Sequence, residues 1–82
     1  MRVYVGVDVY VDEAGGVHPL CIHWEDGRTF QIQSVTDVRK AASLKAGGAG
    51  VRYTCFINNQ TTFLFYEEPR WFVDAKNGVG NM

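Results

Sequence analysis

Five valines, Val3, Val5, Val7, Val9 and Val11, alternate strictly with Tyr4, Gly6, Asp8 and Tyr10, flanked by Arg2 and Asp12. A period of two places all five valines on one face of a strand and the intervening residues on the other. On a helix the same side chains would scatter around the cylinder, and their β-branching would cost rotamer freedom. The first dozen residues therefore specify a half-buried β-strand. They specify no chemistry to go with it.

The 82 residues are 46% apolar, 21% charged and 13% aromatic, the composition of a globular chain rather than a disordered one. That size suits a single domain around one core, expected over 1–76, with a frayed tail at 77–82 where two glycines and two asparagines crowd together. A net charge of -1 opposes indiscriminate attraction to nucleic acid or acidic membranes. No apolar run approaches the roughly 20 residues of a membrane helix, and the start does not read as a signal peptide. The expected setting is the cytoplasm, where Cys21 and Cys55 would stay reduced.

Turn chemistry divides the rest of the chain. Asp12-Glu13-Ala14-Gly15-Gly16 ends the first strand. A second strand runs from Val17 to Glu25, with Pro19 near its start. At Glu25-Asp26-Gly27 a two-residue loop would set Ile22 against Gln31 and Trp24 against Thr29, apolar against polar. A three-residue loop pairs Ile22 with Phe30 and Leu20 with Ile32, with Gly27 as the left-handed residue. The matched faces favour the longer loop.

Beyond Ile32 the periodicity breaks, because Val35 and Val38 lie three apart. Ser34 and Asp37 have capping-box spacing, and good helix formers run from Lys40 to Ala46, so one reading is a short helix over 37–46. The other continues the strand through a bulge to Arg39, followed by a mobile loop to Gly50. Gly47, Gly48 and Gly50 end either element equally well.

The last third alternates again. Arg52 to Ile57 and Thr61 to Glu67 flank Asn58-Asn59, two residues suited to a tight hairpin. Glu68-Pro69 then turns the chain so that Leu64 pairs with Val73, Phe65 with Phe72 and Tyr66 with Trp71. Five or six short strands joined by tight turns predict an all-β fold, a small SH3-like barrel or meandering antiparallel sheet. Its core should contain Leu20, Ile22, Ile32, Leu64 and Val73.

The string Trp24-Glu25-Asp26-Gly27-Arg28, with Phe30, Ile32, Arg52-Tyr53-Thr54 and Trp71-Phe72-Val73-Asp74, resembles a family of small uncharacterised bacterial proteins. These share a Trp-x-Asp-Gly-Arg hairpin, a Gly-Gly loop and a closing Trp-Phe-Val-acid strand, and the resemblance spans roughly Val17 to Asp74. It implies a small β-barrel and, for some relatives, a genetic association with translesion DNA polymerases. It brings no catalytic residues. Asn58-Asn59 departs from the glycine expected in that turn.

Three groups of residues are candidates for function. If Leu64 and Val73 face inward, then Phe56, Phe63, Phe65 and Phe72 share the opposite face with Arg52, an aromatic surface fit for a protein partner or a second copy of the chain. The competing reading buries those phenylalanines beneath another segment. Arg39, Lys40 and Lys45 lie in an acid-free, glycine-rich stretch and are candidate phosphate contacts, although nothing there ends like a P-loop and solvated loop composition explains it equally. Cys21 and His23 share a face, with His18 or Cys55 as further donors. The paired Cys-x2-Cys spacing of a structural zinc site is absent, so no metal and no cofactor are expected. The acidic residues fall at turns and no catalytic constellation assembles, so no enzyme is expected. The leading reading is a protein-interaction or self-association module. The alternative is a nucleic-acid-binding accessory barrel related to DNA repair, with phenylalanines stacking bases while Arg39, Lys40, Lys45 and Arg52 hold phosphates.

Overall fold

Every tight turn expected from the sequence forms, and together the turns generate an antiparallel meander. The computed structural model describes residues 2–42 and 49–74. Its strands are β1 (Arg2–Val11), β2 (Val17–His23), β3 (Thr29–Gln31), β4 (Ser34–Ala42), β5 (Ala49–Ile57), β6 (Gln60–Glu67) and β7 (Arg70–Asp74), with no helix among the described residues. The order across the sheet is β3-β2-β1-β7-β6-β5-β4, and the whole curls into a half-barrel. The expected all-β class holds. The Ser34–Ala42 segment is a strand in its own right, which makes seven described strands rather than five or six.

Local chemistry explains the turns. At the β1–β2 turn Asp12 Oδ1 accepts the Ala14 amide at 3.0 Å and the Gly16 amide at 2.8 Å, while Gly15 takes φ 89°. A Cβ at Gly16 would lie 2.6 Å from Asp12 Oδ2, so the anchored carboxylate leaves no room for a side chain there. The β2–β3 loop has the expected three residues. The Trp24 amide donates to Arg28 O at 2.8 Å, the Gly27 amide to Trp24 O at 3.0 Å, and Gly27 has φ 92°. Ile22 pairs with Phe30 as the matched faces required. Asn58 and Asn59 take φ 51° and 61°, the left-handed pair of a type I′ hairpin, and Ile57 faces Gln60. Here asparagine does the work expected of glycine. The β6–β7 turn carries the cis Glu68–Pro69 bond, and the Leu64–Val73, Phe65–Phe72 and Tyr66–Trp71 pairs all form.

Inside the curl, Ile22, Trp24, Phe30, Tyr53, Cys55, Ile57, Leu64 and Val73 form one buried cluster. Val3, Val5, Val7, Ile32, Val35, Val51, Tyr66 and Trp71 pack against it, so every described strand contributes. The valine stripe is only partly used. β1 pairs with β7 from Arg2 to Val5 and with β2 from Gly6 onward, and past that exchange Val9 and Val11 are exposed.

Two expectations need correction, and a β-bulge accounts for each. Leu20, placed in the core, is 48% exposed. Asp8 pairs with Cys21 and Val9 with Pro19, so Leu20 is the extra residue and loses its partner on β1. The helix over 37–46 does not form where the chain is described, and 43–46 lie outside the described residues. Val35 pairs with Cys55 and Asp37 with Thr54, leaving Thr36 as the extra residue. That insertion puts Val35 and Val38 on one face despite their spacing of three. The strand alternative is therefore correct, and it runs on to Ala42 instead of stopping at Arg39. Cross-strand pairing has overridden the local helix propensity. The 77–82 tail also lies outside the described residues.

Leu64→Ala, which empties a fully buried position, is expected to destabilise by about 2–5 kcal/mol in urea unfolding. Leu20→Ala should stay within about 0.5 kcal/mol, as for an ordinary surface site. Equal losses for the two variants would refute the bulge assignment.

Candidate functional site

The hairpin geometry sorts the aromatic residues as the alternation requires. Tyr53, Cys55, Ile57, Leu64 and Val73 face inward, and the intervening residues of β5, β6 and β7 form the outer face. Phe63 is 45% exposed and Phe56 36% exposed, while Phe65 is half-buried. Phe72 departs from the expectation. It lies on the outer face yet is only 5% exposed. Phe65 stacks on it at 5.0 Å with the planes 8° apart, Tyr4 meets it edge-on at 5.8 Å, and the Arg2 guanidinium lies 4.3 Å from its ring centroid. Residues of β1 have roofed it over.

Arginines cap two more rings of this face. Arg52 lies over Phe63 at 4.9 Å, and Arg70 over Tyr4 at 3.4 Å. Such pairs draw the cation to the negative face of the ring. Arg52 Nε is the one buried side-chain nitrogen or oxygen among the described residues with no hydrogen-bond partner. A buried donor left in that state is costly unless an acceptor reaches it. The contiguous surface is therefore Phe56, Phe63, Arg52 and part of Phe65. Tyr4, 40% exposed, extends the face across Phe72. Sequence reasoning missed Tyr4 because only the β1–β7 pairing brings it there, opposite Phe72.

The candidate phosphate contacts do not converge. Arg39 pairs with Arg52 across β4–β5, and Lys40 pairs with Val51, so alternation sends Arg39 and Lys40 to opposite faces. Arg39 Nε donates to Asp37 Oδ2 at 2.8 Å. Lys45 lies outside the described residues. The expected basic loop is, over 39–42 and 49–52, a paired hairpin.

Both cysteines are free and buried. Cys55 sits in the core, where desolvation pushes its thiol up to about 11, so it is protonated and unreactive at neutral pH. Cys21 lies on the other face of the sheet from its neighbour Ile22. There Asp8 and His23 join it, and the donor atoms of all three lie within 4.8 Å of one another. Neither Cys55 nor His18 is part of this group. His18 Nε2 instead lies 2.8 Å from Asp12 Oδ2. The sequence groups Asp8 with the acids at turns rather than with Cys21 and His23, because it comes from another strand; the available signal was Cys-x-His beside a valine strand with an acid in its polar half. Among the described residues no helix is long and apolar enough to cross a membrane.

No protein-family model, curated protein or solved structure matches the chain.

Two measurements follow from these environments. His18 first, then the Gly16 and Ala14 amides, hold the Asp12 carboxyl below its ordinary value of 3.8. Its stabilising contribution is therefore complete above that value and lost as pH falls through the lower folded one. The Ala14 and Gly16 amide shifts should titrate with a midpoint under 3.8, and a midpoint above it would contradict the geometry. Thiol labelling should modify both cysteines without prior reduction once the chain is unfolded. In the native chain at neutral pH Cys55 should resist labelling, and rapid reaction there would place it outside the core.

Proposed function

We propose that this chain is a non-enzymatic binding module acting through the outer face of β5 and β6, with a protein surface as its ligand and a second copy of the chain as the simplest such partner. The observation that carries this reading is Phe63, 45% exposed beneath an arginine whose buried Nε lacks an acceptor. Aromatic residues and arginine are the types that dominate interface energy. Phe56 lies diagonally across β5–β6 from Phe63, since Phe56 faces Thr61 and Thr54 faces Phe63. The apolar surface is thus continuous between the strands. A twofold pairing needs only one self-complementary patch.

A second reading, single-stranded nucleic acid on the same face, is favoured by the direct opposition of Arg39 and Arg52. Asp37 already holds Arg39, so Arg52, whose Nε lacks an acceptor, is the cation beside it that could take a phosphate. The resemblance to proteins associated with translesion polymerases points the same way. The near-neutral charge of the chain points against it.

Replacing Phe56 and Phe63 together by serine is expected to convert a sedimenting dimer to monomer without altering the far-ultraviolet circular dichroism. A wild type that stays monomeric across the micromolar range excludes self-association. Salt then separates the remaining partners: aromatic protein contact should survive a few hundred millimolar salt, whereas phosphate binding falls steeply.

A further inference from the structure

We propose that Asp8, Cys21 and His23 form a three-ligand site for a single Zn(II) ion on the outer face of the β1–β2 ladder, with the fourth coordination position open. The site is independent of the aromatic face. Asp8 and Cys21 are direct cross-strand partners, and His23 follows Cys21 by two on the same strand. Alternation therefore brings all three to one side of the ladder.

The fourth corner of this small square is Gly6, the partner of His23. A Cβ there would sit 3.4 Å from His23 Cβ and 3.9 Å from its Cγ, ordinary contact distances, so the imidazole fits beside this position with or without a small side chain. Three corners thus carry donors, and the fourth carries no side chain.

The donor set selects the metal. A thiolate, an imidazole and a carboxylate are the ligand types of tetrahedral zinc, with bonds of about 2.0–2.3 Å and hence donor separations near 3.5 Å. His23 Nε2 lies 2.9 Å from Asp8 Oδ2, and no two donors are more than 4.8 Å apart. The closest pair must open by about half an ångström and the widest contract by about one, relative to that tetrahedral spacing. The ion would take the place of the hydrogen between His23 Nε2 and Asp8 Oδ2, and the proton displaced from Nε2 would move to Nδ1 of the same ring or leave for solvent. Those two side chains are exposed and able to adjust, while Cys21 is buried at the floor, where its thiol now donates only to Ile22 O at 3.8 Å. Binding releases the thiol proton and forms the Zn–S bond. Zinc with three protein ligands keeps one position for water or an incoming donor.

Cobalt(II) substitutes as the spectroscopic probe. Titrating the reduced, full-length chain with Co(II) is expected to give a one-to-one complex with intense tetrahedral d–d bands and thiolate-to-cobalt charge transfer, both erased by Zn(II). Cys21→Ser should remove the charge-transfer band. Asp8→Asn and His23→Asn alter exposed side chains, keep the fold, and should each weaken Co(II) binding at least tenfold, whether or not Cys21→Ser folds. His18→Asn should leave binding unchanged. Weak octahedral bands without charge transfer would overturn the proposal. So would unchanged affinity in both the Asp8 and His23 variants, or a thiolate band that disappears with Cys55→Ser instead.

Discussion

Two consecutive backbone amides hold the curl of this sheet. The Ile32 amide donates to Leu20 O in β2 at 3.0 Å, and the next one, Gln33, donates to Phe56 O in β5 at 2.8 Å. β3 and β4 stand at opposite ends of the strand order, yet only Ile32 and Gln33 separate them in the chain. Six inter-strand gaps of about 4.8 Å would put the ends of a flat sheet about 29 Å apart. Three Cα steps reach at most about 11 Å. A flat arrangement is impossible, and β3–β4 becomes one bent strand that serves both ends.

That closure decides what each face can do. Once the ends meet, one side of every strand is turned toward the shared core and the other toward solvent. The core takes Val3, Val5 and Val7 with Ile22, Leu64 and Val73. The outside keeps Tyr4, Phe63, Phe65 and the arginines, with Arg70 over Tyr4, Arg52 over Phe63 and Phe65 stacked on Phe72. Capping of this kind lets an aromatic face coexist with water without being sealed by it. Phe72 shows the limit: with neighbours on both sides and Arg2 above, it is buried as thoroughly as a core residue.

What the sequence revealed depended on whether a local rule governed the residue. Period-two alternation and turn chemistry fixed the β2–β3 loop, the Asn58-Asn59 hairpin and the pairing of β6 with β7, because each involves neighbours in the chain. The bulge at Leu20 was not legible, and the one in β4 was legible only as one of two readings. A single inserted residue flips every side chain beyond it, and nothing in the residues themselves marked Leu20 or Thr36 as the extra one. The candidate sites divide along the same line. The face shared by Phe56, Phe63 and Phe65 follows from one hairpin, whereas the roof over Phe72 and the meeting of Asp8 with Cys21 and His23 depend on where β1 lies in the sheet. That position is a property of the whole topology.

β1 links these surfaces. It pairs with β7 as far as Val5 and with β2 from Gly6, so its outward residues serve two different neighbourhoods in turn. Arg2 and Tyr4 close over Phe72, Gly6 pairs with His23, and Asp8 meets Cys21 and His23. All four belong to the half of the alternation that the valines leave free. The valines commit the strand to the core, and that commitment fixes the direction of the residues between them. A substitution at Val3, Val5 or Val7 acts on the fold. A substitution in the interleaved series acts on the aromatic face or on the Asp8 corner, according to which side of the Val5–Gly6 exchange it falls.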